Sequence, residues 1–297
     1  MRNVIGIFIL PYEIDDLEIT LENLRKASYY CDGKNEIILD VTMCTSDDMV
    51  DWKHSSVPKT YFEDKFLTLS NKTDWCVKYF RNSETIKGCL SHRKMMLETY
   101  KDADSFTWLD TDIVFDERTF SYIQNTILQI SELTNYFIIT PEIVKVWDNT
   151  WDCIVNENFL DSPLNYQKTN NPYKDSGLKG EVSIEEVVNQ IEGQPHFKFA
   201  GGWFSTISST LLSRVGLPES FGHYGPDDTF IMWASHILKE KNKVDIKQFK
   251  MKNLVVCENY KYRNSVHMKN HILPYDRRIE FRSLGETHFS EELEKIN

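Results

Sequence analysis

The segment Trp108-Leu-Asp-Thr-Asp-Ile-Val-Phe115 places two carboxylates, Asp110 and Asp112, inside an otherwise apolar run. In an extended strand, residues two apart share a face, so both acids point the same way and Thr111 points oppositely. Two like charges side by side in an apolar segment are costly unless something positive faces them. A hard divalent cation such as Mg²⁺ or Mn²⁺ takes oxygen ligands and often shares them with a substrate's phosphates. The pair therefore suggests a metal–diphosphate site at the end of a strand. The plainer alternative is a strand end with both acids hydrated.

A second pair, Asp227 and Asp228, follows Tyr224-Gly-Pro226 and precedes the helical pattern TFIMWASHILKEK. Carboxylates at a helix start are favoured by the free N–H groups and the helix dipole, so Asp228 could serve only as a cap. Upstream, Gly201 and Gly202 leave space for close backbone approach. Near the C-terminus, His267 and His271 are spaced i, i+4, and His288 follows. Lys261, Arg263, Lys269, Arg277 and Arg278 make that tail locally basic in a chain of net charge −11.

The elements that must position these residues read as follows. Residues 4–10 form a strand closed by Pro11, a helix spans Leu17 to Leu24, and residues 36–44 form a second strand, giving a β-α-β unit. Residues 49–86 read as irregular. Helices are expected over 85–103, 120–133, 183–191 and 229–241, with strands over 105–115 and 135–143 and one strand in the tail, NLVVCEN. The stretch 144–195, rich in Asn, Asp, Pro and Lys, reads as surface loops around the 183–191 helix.

The expected fold class is α/β, with a mostly parallel sheet flanked by helices and a loop-rich second lobe. A single domain is expected over 1–297: a first half, 1–143, and a second, 144–297, with the irregular insertion 144–195. At 41% hydrophobic residues, 297 residues suffice for a sizeable core. No apolar run approaches the roughly 20 residues of a membrane span. The six cysteines are scattered without a CxxC pair, which points to reduced thiols and a cytoplasmic protein. The negative charge disfavours broad nucleic-acid binding. P-loop, GxGxxG, HExxH and GxSxG patterns are absent, which argues against P-loop kinases, dehydrogenases, zincins and serine hydrolases.

The stretches ILPYEIDDLEITLENL, KGCLSHRKMMLETY running into SFTWLDTDIVF, and FAGGWFSTISSTLLSRVGLPESFGHYGPDDTF together resemble GT-A fold, DxD-containing glycosyltransferases of the family-2-like and GalNAc-transferase-like kind. The resemblance covers roughly residues 3–48, 85–115 and 196–240. It implies a nucleotide-diphosphate sugar as donor and Mn²⁺ or Mg²⁺ as cofactor. Pro11, Tyr12 and Glu13 would contact the nucleotide, and Ser46 and Asp47, within Thr45–Asp48, the base or ribose. His92 and Arg93 would reach the phosphates or sugar. Asp110 would lie near the ribose or sugar as well as the metal, Asp112 would ligate the metal, and His267, with His271 and His288 as alternatives, would complete its shell. Gly201, Gly202 and Trp203 would line the donor site. In an inverting member Asp228 would be the general base, with Asp227 its neighbour; a retaining member would use the same element for binding, and the sequence leaves the two open. Pro11-Tyr12-Glu13 departs from the Asn-Glu pair of the commonest members, which leaves open the base this pocket reads.

The acceptor stays open among glycans, proteins, small molecules, lipid-linked sugars and modified nucleic-acid bases. Trp147, Trp151, Trp203 and Tyr224 are candidates for stacking on a ring. Two other readings stand beside this one. Asp110-Thr-Asp112-Ile-Val114 also fits a haloacid-dehalogenase-like, Mg²⁺-dependent phosphatase with Asp110 as nucleophile. A non-catalytic sugar-nucleotide-binding protein is the third.

Overall fold

The computed structural model describes residues 1–31, 36–75, 77–143, 172–198, 202–258 and 277–296. In chain order the elements are β1 (Arg2–Ile9), α1 (Ile14–Ser28), β2 (Glu36–Cys44), α2 (Lys59–Lys72), β3 (Val77–Ser83), α3 (Cys89–Thr99), β4 (Ser105–Leu109), β5 (Ile113–Val114), α4 (Thr119–Ser131), β6 (Tyr136–Ile143), α5 (Pro172–Asp175), β7 (Gly177–Glu186), β8 (Phe204–Ser208), α6 (Ser209–Val215), α7 (Asp227–Asn242), β9 (Ile246–Glu258) and α8 (Arg277–Glu294). Short 3₁₀ turns occupy Pro11–Glu13 and Glu219–Phe221.

The strands join one sheet in the order β3-β2-β1-β4-β8-β6-β9-β5, with β7 also on β9. β1 pairs in parallel with both β2 and β4, and β2 with β3. β8 runs antiparallel to β4 and β6, and β6 is parallel to β9. Six strands thus share one direction, and β5, β7 and β8 oppose it. The expected α/β class with a mostly parallel sheet is what the chain adopts.

Alternation along the strands splits the core in two. In β1, Ile5, Ile7 and Ile9 join α1, α2 and α4 on one face, while Val4 joins α3, α6 and α7 on the other. Strands covered on both faces need near-continuous apolar sequence, which VIGIFI and IILDV supply. Gly6 interrupts β1 because a Cβ there would overlap Met96 of α3. α1 buries Ile14, Leu17, Leu21 and Leu24 at helical spacing, with Asp15 and Asp16 in its first turn and Arg25 and Lys26 in its last.

Four expectations are corrected. Residues 49–86 are not irregular: they hold α2 and β3. α2 buries only Phe62, Phe66 and Leu69, and β3 is an edge strand with every residue at least partly exposed, so both periodic signals are weak. The helix expected over 183–191 is instead the end of strand β7 and a following connection. Leu178, Val182 and Ile184 fall on even positions and pack on the core, which is strand periodicity. The tail strand begins earlier than NLVVCEN, at Ile246, and α8 follows where no helix was expected. Finally, the strand expected over 105–115 stops at Leu109. Asp110, Thr111 and Asp112 form a turn, and β5 pairs with β9 rather than continuing the main ladder.

Candidate active site

The chain leaves β1 for β2 and β3 on one side, then returns to β4 on the other side of β1. Such a switch of direction opens a crevice at the C-terminal ends of the two central strands, where ligands bind in open α/β sheets. Here those ends lead into the Pro11–Glu13 turn and the Asp110–Asp112 turn. A cavity of about 820 Å³ opens at this point, and Glu13, Arg93, Asp110, Asp112, Gly202, Trp203, Asp227 and Asp228 all line it. The structure therefore brings together both acid pairs that the sequence singled out.

The Asp110–Asp112 turn is held from three sides. The Thr20 hydroxyl of α1 donates to the Thr111 carbonyl. The Asp110 N–H donates to the Trp203 carbonyl at 2.9 Å. Beyond the turn, Ile113 and Val114 are fixed by pairing with Glu258 and Cys257. Asp110 is exposed and Asp112 half-buried, while Thr111 is buried. The acids thus face the cavity because the turn is anchored through its middle residue, not because of strand alternation.

At the other pair, Asp227 is 2% exposed and accepts a 2.6 Å hydrogen bond from Arg93 Nη1. Arg93 Nη2 donates to the Gly202 carbonyl at 2.5 Å, and the guanidinium lies 4.1 Å from the Trp108 ring centroid. Gly202 has a specific reason to be glycine, since a Cβ would come within 2.9 Å of that guanidinium. The room it leaves is taken by Arg93. The Gly202 N–H donates to Asp228 Oδ2 at 3.1 Å, and the Thr229 N–H to Oδ1 at 2.6 Å. Burial first, then the adjacent Asp227 charge, push the Asp228 carboxyl above the usual carboxylate range; the two N–H donors and Arg93 oppose them.

Gly202 and Trp203 consequently join the two acid pairs. Trp203 accepts from Asp110, and Gly202 donates to Asp228. An acid turn and an acid helix start, far apart in sequence, hang from two consecutive residues.

The other expected residues fall as follows. Glu13 lines the cavity, and its carboxylate accepts from the Leu10 N–H at 2.6 Å, closing the turn after β1. Pro11 is buried and Tyr12 packs on the core; neither lines the cavity. Ser46 is buried, its hydroxyl accepting from the Asp48 N–H at 3.2 Å, and Asp47 is exposed; the same stretch reaches the cavity through Met49. His92 does not reach it. Its ring is buried and bonds Asp40 at 2.9 Å, in a cluster that Arg81 and Tyr100 complete. Burial and the Asp40 contact explain the histidine structurally.

Gly201, His267 and His271, with Lys261, Arg263, Lys269, Trp147 and Trp151, lie outside the described residues. His288 is on α8 with Nδ1 3.6 Å from Glu291, away from the cavity lining. Among the described residues no three His, Cys, Asp or Glu side chains converge as a metal cage. Asp110 and Asp112 offer carboxylate oxygens only. That donor set fits a hard cation which keeps waters and takes substrate phosphates, the Mg²⁺ or Mn²⁺ type.

Several lining residues carried no sequence signal: Lys87, Met232, Trp233 and Arg282, with Asn189 and Gln194 from the connection after β7. Lys87 pairs with Asp48, and Arg282 reaches the cavity only because α8 packs there. The start of α3 is occupied by protein: Leu90 and Ser91 N–H groups donate to the His223 carbonyl at 3.1 and 3.3 Å. Gly88 makes that approach possible, because a Cβ would overlap the His223 backbone.

No protein-family model matches the chain, and no curated protein matches it. Among solved structures, it aligns with GalNAc-T7 crystallised with UDP, GalNAc and Mn²⁺, at 15% identity and TM-score 0.48, covering 100% of this chain and 56% of that one. It aligns with a 1–349 fragment of S. aureus TarS at 12% identity and TM-score 0.48, covering 99% and 69%. It also aligns with the mannosyltransferase PcManGT from Pyrobaculum calidifontis, in complex with GDP-Man and Mn²⁺, at 11% identity and TM-score 0.46, covering 87% and 56%. The chain spans little more than half the length of the first and third of these.

Proposed function

We propose that the chain is a metal-dependent glycosyltransferase that moves a sugar from a nucleotide-diphosphate sugar to an acceptor hydroxyl. One observation carries this reading: the Asp110–Asp112 turn at the sheet's switch point and the Asp227–Asp228 pair at the start of α7 line one cavity, tied to the consecutive residues Gly202 and Trp203. One pair suits a cation and the phosphates it bridges, and the other suits a proton acceptor.

Asp110 and Asp112 would hold Mg²⁺ or Mn²⁺ with the donor's diphosphate. When bound, the cation supplies charge stabilisation to the departing diphosphate. Asp228 takes the proton from the acceptor hydroxyl as its oxygen bonds the anomeric carbon, while the bond from that carbon to the diphosphate oxygen breaks. Base assistance of this kind is worth roughly 10²–10⁴-fold. The raised Asp228 carboxyl suits the role, since a more basic carboxylate removes a hydroxyl proton more readily. Burial raises that basicity first, the charge of Asp227 adds to it, and Asp227 is itself held by Arg93.

The phosphatase reading expects its Asp-x-Asp strand first in the core, whereas β4 is fourth in sequence and lies between β1 and the reversed β8. A cytoplasmic location fits the free thiols of Cys31, Cys44, Cys89 and Cys257. Among the described residues no helix is long and apolar enough to cross a membrane.

The test is a thermal-shift panel of UDP-, GDP-, CMP- and dTDP-sugars with and without Mn²⁺. A ligand bound only by the native state raises the melting temperature by mass action. The expected result is a shift for one nucleotide that requires the cation and disappears in Asp112→Asn. No shift with any of them, or a shift indifferent to Asp112→Asn, defeats the assignment.

A further inference from the structure

The cavity has a wall that the donor reading leaves unused. It is built from the connection between β7 and β8 and from the first two turns of α7. Asp228, Thr229, Met232 and Trp233 all line the cavity, at positions i, i+1, i+4 and i+5 of one helix face. Asn189, Ile191 and Gln194 line it from the connection. Ile191 is 68% exposed, an apolar side chain left at the cavity rather than in the core.

The wall is built, not incidental. Residues 189–196 form a closed loop, with the Asn189 N–H donating to the His196 carbonyl at 2.7 Å. Its base is pinned by Gln248, which accepts from the Lys198 N–H and donates to the Lys198 carbonyl, both at 2.8 Å. The loop is then fastened to α7: the His196 N–H donates to His236 Nδ1 at 3.2 Å, and the His236 ring stands edge-on to Trp233 at 6.1 Å. The position of the indole and that of the loop are therefore set together.

Apart from the Asp227–Asp228 pair, every charged lining group among the described residues comes from the ends of β1, β3 and β4 or from α3 and α8. Beside Asp228, this wall offers an indole, a thioether, an isoleucine and two carboxamides. Among the described residues of this wall, a phosphate or carboxylate acceptor would find no cation, and an amine no carboxylate beyond the pair. An aromatic face with amides that both donate and accept suits a ring with one apolar face and several hydroxyls.

Resting on the donor and base assignments above, we infer that this wall is the acceptor subsite and that it takes an uncharged saccharide ring stacked on Trp233, one of whose hydroxyls meets Asp228.

The test is saturation-transfer NMR on the full chain with Mg²⁺ and UDP or GDP. The probes are methyl glucopyranoside, methyl galactopyranoside and methyl N-acetylglucosaminide, set against methyl glucuronide, glucosamine and glycerol 3-phosphate. At least one neutral pyranoside should bind in preference to the charged probes, and Trp233→Ala should weaken it about tenfold, the scale of one aromatic contact. Trp233→Phe should restore most of the binding. Gln194→Ala, on the loop surface, gives a second reading should Trp233→Ala fold poorly, and should weaken binding several-fold. Stronger binding of a charged probe, or a neutral pyranoside indifferent to Trp233 and Gln194, overturns the inference. The two readings fail separately. If pyranosides bind through Trp233 while no nucleotide shifts the melting temperature, the saccharide site stands and the transferase reading falls.

Discussion

Arg93 shows how far a single side chain reaches in this site. The sequence places it near the phosphates or sugar; in the structure it lines the cavity while its guanidinium meets Asp227, the Gly202 carbonyl and the Trp108 ring. Removing it would leave Asp227 buried without its partner, a loss on the order of 3–5 kcal/mol for a buried pair. Arg93→Met should therefore lower stability by about that amount in urea titration, and Arg93→Lys by less. The same residue acts on the base. Arg93 holds the Asp228 carboxyl down, and Asp227 pushes it up. Activity needs ionised Asp228, so the acid limb of the pH–rate profile should lie above the ordinary carboxylate range. Asp227→Asn removes a negative neighbour and should move that limb to lower pH. A limb that stays fixed in Asp227→Asn would remove Asp228 from the role of base. Ionisation of Asp228 also opposes folding: with its carboxyl raised in the native state, its contribution is fully present below the unfolded value and is lost as pH rises through the folded one. Asp40 has the opposite sign. Burial would raise its carboxyl, but hydrogen bonds from His92, Arg81 and Tyr100 hold it below the usual range. Its contribution is present above the unfolded value and is lost as pH falls through the folded one. Asp40→Asn should destabilise the protein by about 3 kcal/mol near neutrality, with the difference from wild type shrinking in acid.

At the scale of elements, the turn after β4 is where sequence reading and structure part most usefully. The apolar flanks of Asp110–Asp112 made one long strand, and both acids were placed on one face by alternation. The strand stops at Leu109, and the turn is oriented by partners that have no local signature: the Thr20 hydroxyl, the Trp203 carbonyl and the β5–β9 pairing. The acids were legible because two carboxylates in an apolar run are costly, while their geometry was not, because it is set by contacts far away in sequence on both sides. β1, α1 and β2 were legible for the converse reason, their burial being periodic and local. α2 and β3 were not, since one buries a thin stripe and the other is an edge. The segment 183–191 misled because Ile184 and Val187 also fit a helical spacing, and only the pairing of Ser183–Glu186 with β9 decides for the strand. This makes Thr20 a test of the turn. Thr20→Val keeps the shape and deletes the donor to the Thr111 carbonyl, at a cost of about 1–3 kcal/mol for the buried acceptor left unpaired. Mn²⁺ affinity, followed by the free-ion electron paramagnetic resonance signal with nucleotide present, should fall alongside. Unchanged affinity in a destabilised variant would show that the turn keeps its geometry without α1.

For the molecule as a whole, the site depends on the last helix closing on the middle of the chain. Phe289 of α8 stacks on Phe221 at 6.2 Å, and Phe281 meets the His223 ring edge-on at 5.1 Å. Gly285 sits so close to Pro226 and Gly225 that a Cβ would overlap the proline ring. Those two residues lead directly into Asp227 and Asp228. The His223 carbonyl in turn caps α3, which carries Arg93 back to Asp227. One chain of contacts thus runs from α8 through the 221–226 segment to the proposed base, without passing through the Asp110–Asp112 turn, which is held by α1, β8 and β9. The two acid pairs share a cavity and the Gly202–Trp203 tether, but the α8 contacts bear on the second pair, so a lesion at α8 should act first on Asp227 and Asp228. Gly285→Val forces α8 off Pro226; overpacking of this kind costs typically 1–3 kcal/mol, so the fold should survive. Cation-dependent nucleotide binding, read by thermal shift, should persist. Turnover should fall by about tenfold or more, because a misplacement near 1 Å at a catalytic group can cost on the order of a hundredfold. Loss of nucleotide binding in parallel with turnover would show instead that α8 supports the whole crevice, including Arg282 at its rim, and that the two pairs are not mechanically independent.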